Sequence, residues 1–206
     1  MSGAFPISTS KFKTLGIRST QNTIISKSIS GKKLARQVDN QRFSFTAQII
    51  TAKRSDVYGE LMAFIMKQRS GKENFTIIPP DVQSTKGTEN GTVRVNGSHT
   101  AGDTTIAMDG FAGDGAGRFK AGDLITFAGQ TKVYMVVEDV TSSSNASTVT
   151  IEPPLISNVS DDAIVTYNNV NFTVHLTNDV QEFGAVGTNK DGDVLYQFEF
   201  DVEESL

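Results

Sequence analysis

Cysteine and tryptophan are absent from this 206-residue chain, and histidine occurs only twice. Without cysteine there can be neither a disulfide nor a thiolate metal site, so the fold must hold by packing or by assembly with neighbours. No stretch approaches the roughly 18 apolar residues that a membrane-spanning helix needs. Residues 1–10 lack the apolar region of an export signal, so export by that route is not expected. His99 and His175 stand alone, with no second histidine or acid at a ligand spacing, and read as surface or strand residues.

What is present is a β composition, with 18 glycines, 13 phenylalanines and 37% hydrophobic residues in a chain long enough to bury a core. The segment 119–155 is the clearest. Ile125, Phe127, Val133, Met135 and Val137 recur at the spacing of two that lines one face of a strand. Breaks fall at Ala128-Gly129-Gln130 and over 142–147, and a third strand through Thr148–Ile151 stops at Pro153-Pro154. Earlier strands are expected at 12–17, 23–29, 32–38 and 42–50. In the last of these Phe43, Phe45, Ala47 and Ile49 alternate with polar residues, as in a half-buried strand. One helix is expected over 56–69, capped by Ser55 or Asp56 and stopped at Gly71. Its core stripe would be Val57, Leu61, Phe64 and Ile65. A short strand over 75–78 follows.

From 81 to 91 the chain turns polar, like a linker into a separate lobe. Strand candidates resume at 92–95 and 104–108, with 109–117 as a loop, and again at 164–167, 171–176 and 194–202. Asp191-Gly192 signals a hairpin turn. The expected fold is mainly β: an antiparallel sandwich or barrel-like domain of residues 1–80 and 161–206 with one α-helix, and an inserted small β-barrel or sandwich over 81–160.

Net charge is only −4, but residues 1–55 carry ten Lys or Arg and a single acid. A basic arm can bind nucleic acid, yet no aromatic stacking platform is interleaved with these charges, so no specific nucleic-acid partner is expected. Complementary faces on neighbouring subunits account for the asymmetry better. The interface candidates are Lys32, Lys33, Arg36 and Arg42 on the basic side, and Glu199, Asp201 and Glu203 on the acidic side. The alternating strand 42–50 is a further candidate for pairing with a neighbour, since a bare strand of that length invites aggregation.

Sites for chemistry are not legible. The stretch 110–122 lacks the Gly-Lys-Ser/Thr ending of a phosphate loop and the third glycine of a dinucleotide fingerprint. Asp109, Asp114 and Asp123 miss the spacing of a calcium hand. The Asn-x-Ser/Thr sites at Asn74, Asn90, Asn96, Asn145, Asn158 and Asn171 fit an Asn/Thr-rich β composition. A glycan-binding lobe would need exposed aromatics and offers only Phe111, Phe119, Phe127 and Tyr134. No catalytic residue, cofactor or metal is expected.

Several motifs in the first half carry a resemblance. They are GIRS (16–19), the basic strand GKKLARQV (31–38), the aromatic strand QRFSFTA (41–47), AFIMKQRSG (63–71) and the strand end IPP (78–80). Together they resemble the N-terminal domain of tailed-bacteriophage distal tail proteins, and 119–140 with 147–155 looks like β-rich accessory domains of phage structural proteins. The lobe here is inserted, where the family carries it at the C-terminus. The resemblance implies a virion structural protein, made in the host cytoplasm, that forms a ring of six at the tail tip. Its partners would be further copies of itself, the tail tube protein, the tail hub protein and tail fibres. Another β-rich phage subunit (tail tube or fibre attachment) and a carbohydrate- or receptor-binding module are the alternatives.

Overall fold

The computed structural model describes residues 3–206 apart from Asp39 and Asp81. The chain is mainly β, with antiparallel sheets and one α-helix. Strand β1 (Phe12–Thr20) leads into a hairpin of β2 (Thr23–Lys27) and β3 (Lys33–Gln37), and β4 spans Arg42–Lys53. In β4 the side chains of Phe43, Phe45, Ala47 and Ile49 are buried while those between them are half-buried, the alternation expected of a strand with one covered face.

A π-helical turn, Arg54–Tyr58, precedes helix α1, Gly59–Lys67. Val57, Leu61 and Ile65 are buried and Phe64 packs half-buried beside them, so the expected stripe is the core face. Both expected ends differ. Neither Ser55 nor Asp56 caps the helix, because the Ser55 hydroxyl donates instead to the Asp56 carboxylate at 3.0 Å. The left-handed residues beyond the helix are Arg69 (φ 53°) and Ser70 (φ 59°), not Gly71. Gly71 meets a different demand: a Cβ there would lie 2.4 Å from the Leu176 carbonyl oxygen, so only glycine fits. Strand β5 (Phe75–Ile77) follows.

The next strands form the second lobe: β6 (Arg94–Val95), β7 (Thr105–Asp109), β8 (Gly115–Ala116), β9 (Leu124–Phe127), β10 (Tyr134–Val136), β11 (Thr141–Ser142), β12 (Ala146–Glu152) and β13 (Val165–Thr166). Six of them run in the order β13-β9-β10-β12-β7-β6. The two ends meet through Val95 N–H donating to Ala163 O and Val165 N–H donating to Val93 O, each at 3.0 Å, which nearly closes a barrel. Its core is separate from that of the main sheet.

Of the polar stretch 81–91, Asp81 lies outside the described residues, and the rest is not a linker. Lys86 N–H donates to the buried Asp123 carboxylate at 2.7 Å, as does the Thr85 hydroxyl, and buried Glu89 accepts from the backbone of Gly91 and Ala112. These polar residues satisfy backbone donors inside the lobe. At the far border, Val165 and Thr166 pair with β9 and Tyr167 joins the lobe core, although 164–167 was expected in the main domain.

The face expected in 133–137 is also wrong. Tyr134 and Val136 enter the lobe core, Val133 enters the core of the main domain, Met135 is half-buried against it, and Val137 is exposed. Strand β10 lies between two cores, so both of its faces are apolar and a period of two cannot choose between them.

The chain then returns to the main sheet with β14 (Phe172–Leu176), β15 (Phe183–Thr188) and β16 (Val194–Glu204). The sheet order is β1-β4-β16-β14-β5, with β15 alongside the first half of β16. The β15–β16 turn contains Asp191-Gly192, with Gly192 at φ 86°, as its sequence predicts. Strand β15 leaves no signal in the sequence, because FGAVGT carries two glycines and no alternation. Aromatic pairs fill the core, among them Phe45–Phe172 with ring centroids 4.8 Å apart and Phe198–Phe200 at 5.3 Å. Strand β4 pairs along its length with β1 on one side and β16 on the other. It is therefore a central strand and not an edge open to a neighbour.

One buried polar cluster joins the two lobes. Lys132, on the loop between β9 and β10, is fully buried; its ammonium donates to Glu204 Oε2 at 2.5 Å and Gln41 Oε1 at 2.8 Å. It also lies 4.7 Å from the centroid of the Phe43 ring. Glu204 in turn accepts from Val133 N–H at 2.8 Å and Phe43 N–H at 3.1 Å. Burial pulls the Lys132 pKa below its ordinary value, and the adjacent Glu204 carboxylate opposes that shift.

Candidate functional site

The most unusual local feature is the β2–β3 hairpin. Its strands pair with each other in register, Thr23 with Gln37 through Lys27 with Lys33, and make no extensive contact with any other element. Gly31 (φ 78°) closes the turn, where Lys32 N–H donates to the Ser28 hydroxyl at 3.1 Å. Every residue of both strands is exposed. Ile24, Ile25, Ile29, Leu34 and Val38 are all more than half exposed. Cross-strand partners share a face, so Ile24 and Leu34 lie on one side of the ribbon and Ile25 with Ala35 on the other. Neither side has a core to bury it. A two-stranded ribbon alone in water is marginal at best, and this one shows bare aliphatic side chains on both faces.

Charge adds to the instability. Lys27 and Lys33 sit directly opposite each other with Lys32 beside them, and like charges across a ribbon destabilise it. Arg36 lies further down β3. Among the described residues Lys32, Lys33 and Arg36 have no ion-pair partner.

The remaining interface candidates lie elsewhere and are already engaged. Arg42 Nη1 contacts Glu203 Oε1 at 3.0 Å, and Asp201 Oδ1 contacts Arg18 Nη2 at 3.3 Å and the Thr46 hydroxyl at 2.5 Å. Glu199 is 3.5 Å from Gln48 Nε2. These pairs follow from β4 and β16 being neighbours, with Gln48 opposite Glu199, Thr46 opposite Asp201 and Ser44 opposite Glu203. Asp201 and Glu203 therefore lie beside basic side chains of their own chain, and Glu199 beside the neutral Gln48, instead of forming a distant pole. Acids with no ion-pair partner among the described residues are found at the other edge, where Asp179 and Glu182 precede β15 and Asp191 lies in the turn after it.

The sites considered for chemistry resolve into structure. Asp123 accepts from Thr85, Lys86 and Lys120, and the Asp114 carboxylate from Asn145 N–H at 2.7 Å. His99 Nε2 accepts from Ala107 N–H at 3.1 Å while Nδ1 faces Asp103, and His175 faces the Ser205 hydroxyl. Among the described residues no group of three or more His, Asp or Glu is placed to hold a metal. Phe111, Phe119, Phe127 and Tyr134 are buried in the lobe core, so they offer no platform to a sugar. Among the described residues no helix is long and apolar enough to cross a membrane.

Backbone donors set the acid behaviour of the lobe. Asn145 and Ser144 N–H groups hold Asp114 below the ordinary carboxylate value, the Lys120 ammonium and Ala121 N–H do so for Asp139, and Thr100 N–H with His99 does so for Asp103. A carboxyl depressed in the folded state stabilises above its unfolded pKa and loses that contribution as pH falls through its folded value. These groups are therefore expected to leave the melting temperature unchanged above about pH 5 and to lower it progressively as pH falls through and below the ordinary carboxylate range. Calorimetry across pH 2–7 checks this, and a decline beginning near pH 6 would contradict it.

No family model matches the sequence, and none of the curated proteins matches it.

Proposed function

We propose that the chain is a structural subunit of a phage tail tip, in the manner of a distal tail protein, and works as a self-assembled ring. The supporting observation is the β2–β3 hairpin, which presents aliphatic residues on both faces and three clustered ammonium groups with no ion-pair partner among the described residues. An element of that kind is stable only when another surface covers it. In a cyclic assembly each copy supplies the arm and each copy receives one, so a single gene product covers every arm. The motifs at 16–19, 31–38, 41–47, 63–71 and 78–80 support the tail-tip assignment. The ring would join the tail tube to the hub and fibres, and the inserted barrel would project from it.

Light scattering with negative-stain microscopy of the purified protein tests this. The expected result is a closed ring at micromolar concentration. A variant whose residues 23–37 are replaced by a short Gly/Ser turn should be monomeric and still unfold in one cooperative transition, at a melting temperature lowered by the lost assembly. A monodisperse monomer for the intact chain would overturn the proposal.

A further inference from the structure

The buried cluster between the lobes holds the three groups that an amide exchange needs. Lys132 and Glu204 form its ion pair and Gln41 is the third member, with the two ends of its carboxamide turned toward different surroundings. Oε1 accepts from the Lys132 ammonium at 2.8 Å. Nε2 donates to the Ser19 hydroxyl at 2.8 Å, on the side where Ser19, Gln21 and Gln41 line a cleft of ≈ 500 Å³ that also touches Pro153 and Pro154 of the lobe.

Each group sits where its surroundings suit one role. Lys132 is fully buried against the Phe43 ring. Burial, opposed by Glu204 and helped by the nearby Arg42 guanidinium, shifts it toward the neutral amine. A lysine desolvated in an apolar pocket is a nucleophile. Glu204, hydrogen-bonded to that nitrogen, is placed to take its proton. Gln41 and Glu204 are buried too, so the water that would compete for the carboxamide is kept out. The amine and the carboxamide are 91 positions apart in sequence yet held in contact. Groups oriented within one molecule react as if at concentrations on the order of 10⁵ M or more.

We propose that Lys132 and Gln41 become joined by an intramolecular isopeptide bond, with Glu204 carrying the protons, and that this bond ties the inserted lobe covalently to the main domain. The ion pair is the state before reaction. One ammonium proton passes from Lys132 to Glu204, and the freed amine forms a bond to Gln41 Cδ while Oε1 takes the negative charge. As the carbonyl re-forms and the Cδ–Nε2 bond breaks, the lysine nitrogen sheds a second proton, which is relayed to Nε2. Ammonia leaves past Ser19 into the cleft. Glu204 keeps the first proton, so no unpaired charge stays buried. The step needs no oxidant, reductant or co-reactant, and it does not depend on whether the chain forms a ring.

Intact-mass spectrometry of the full chain, followed for days after purification at physiological temperature, tests this. The expected result is a loss of ~17 Da, the mass of ammonia, in a growing fraction of the protein, and a branched peptide joining Gln41 to Lys132 after digestion. Gln41→Met and the pair Lys132→Met with Glu204→Gln keep the volume of the site and should retain their sequence mass. Glu204→Gln alone leaves both reacting groups in place and should slow the loss ~100-fold or more. A parent that stays at its sequence mass overturns the proposal, and so does a loss that persists without Lys132. A loss of ~18 Da with Lys132 joined to Glu204 would overturn the choice of Gln41 as the acyl donor.

Discussion

Replacing Lys132 with alanine is expected to destabilise the protein by ~3–5 kcal/mol, the range for breaking a buried ion pair from one side. The change strips the Glu204 carboxylate of its counter-charge while that carboxylate remains buried between the lobes, still accepting from Val133 and Phe43. It also empties the space above the Phe43 ring. Removing the charge on both sides should recover much of the loss. In the double variant Lys132→Met with Glu204→Gln, methionine fills the lysine's volume and glutamine keeps an oxygen for the backbone donors. Urea unfolding of the three proteins measures this. A Lys132→Ala loss below ~1 kcal/mol would mean that water reaches the pair and that it is no different from a surface contact.

Excising residues 83–167 and bridging the ends with a short Gly/Ser segment should leave a main domain that still unfolds cooperatively, at a markedly lower midpoint. The sheet β1-β4-β16-β14-β5 and helix α1 contain no residue of the lobe, and their core is largely their own. Leu124 and Val133 from the lobe do complete that core. At ~1.5–3 kcal/mol for each buried aliphatic side chain, their loss is expected to lower stability by ~3–6 kcal/mol. Glu204 adds no further penalty, because without the lobe its carboxylate is hydrated. Scanning calorimetry decides the matter: a broad melt without a cooperative transition would mean that the main domain depends on the lobe for its fold, beyond the contacts of two side chains.

Much of the strand pattern is legible in the sequence. Alternation in Arg42–Ile50 named the buried set Phe43, Phe45, Ala47 and Ile49, and the helix stripe and the Asp191-Gly192 turn were equally readable, because each depends on neighbours a few residues apart. The errors share one cause. Residues 133–137 read as one buried face because a strand between two cores is apolar on both. The stretch 81–91 read as a linker because buried carboxylates and hydroxyls that satisfy backbone groups look, in a sequence, like solvent-facing ones. Strand β15 went unseen because its place is set by pairing with β16, and FGAVGT carries no pattern of its own.

The candidate interface divides in the same way. The concentration of basic residues in the first 55 positions was plain, and Lys32, Lys33 and Arg36 do stand exposed on the hairpin. That Arg42 pairs with Glu203 and Arg18 with Asp201 could not be read, because these contacts cross 161 and 183 residues of chain.

By itself the sequence determined a cysteine-free, mainly β protein with one amphipathic helix, a basic first quarter and no recognisable constellation for catalysis. Composition and short-range period carry that information directly. Only the tertiary structure decided which strands are central and which are edges, that β4 is closed on both sides while β1 and β15 are open, and that Lys132 meets Glu204 across 72 residues to join the lobes. A period of two records that a face is covered but not what covers it, and strand neighbours are chosen by long-range packing that leaves no local trace.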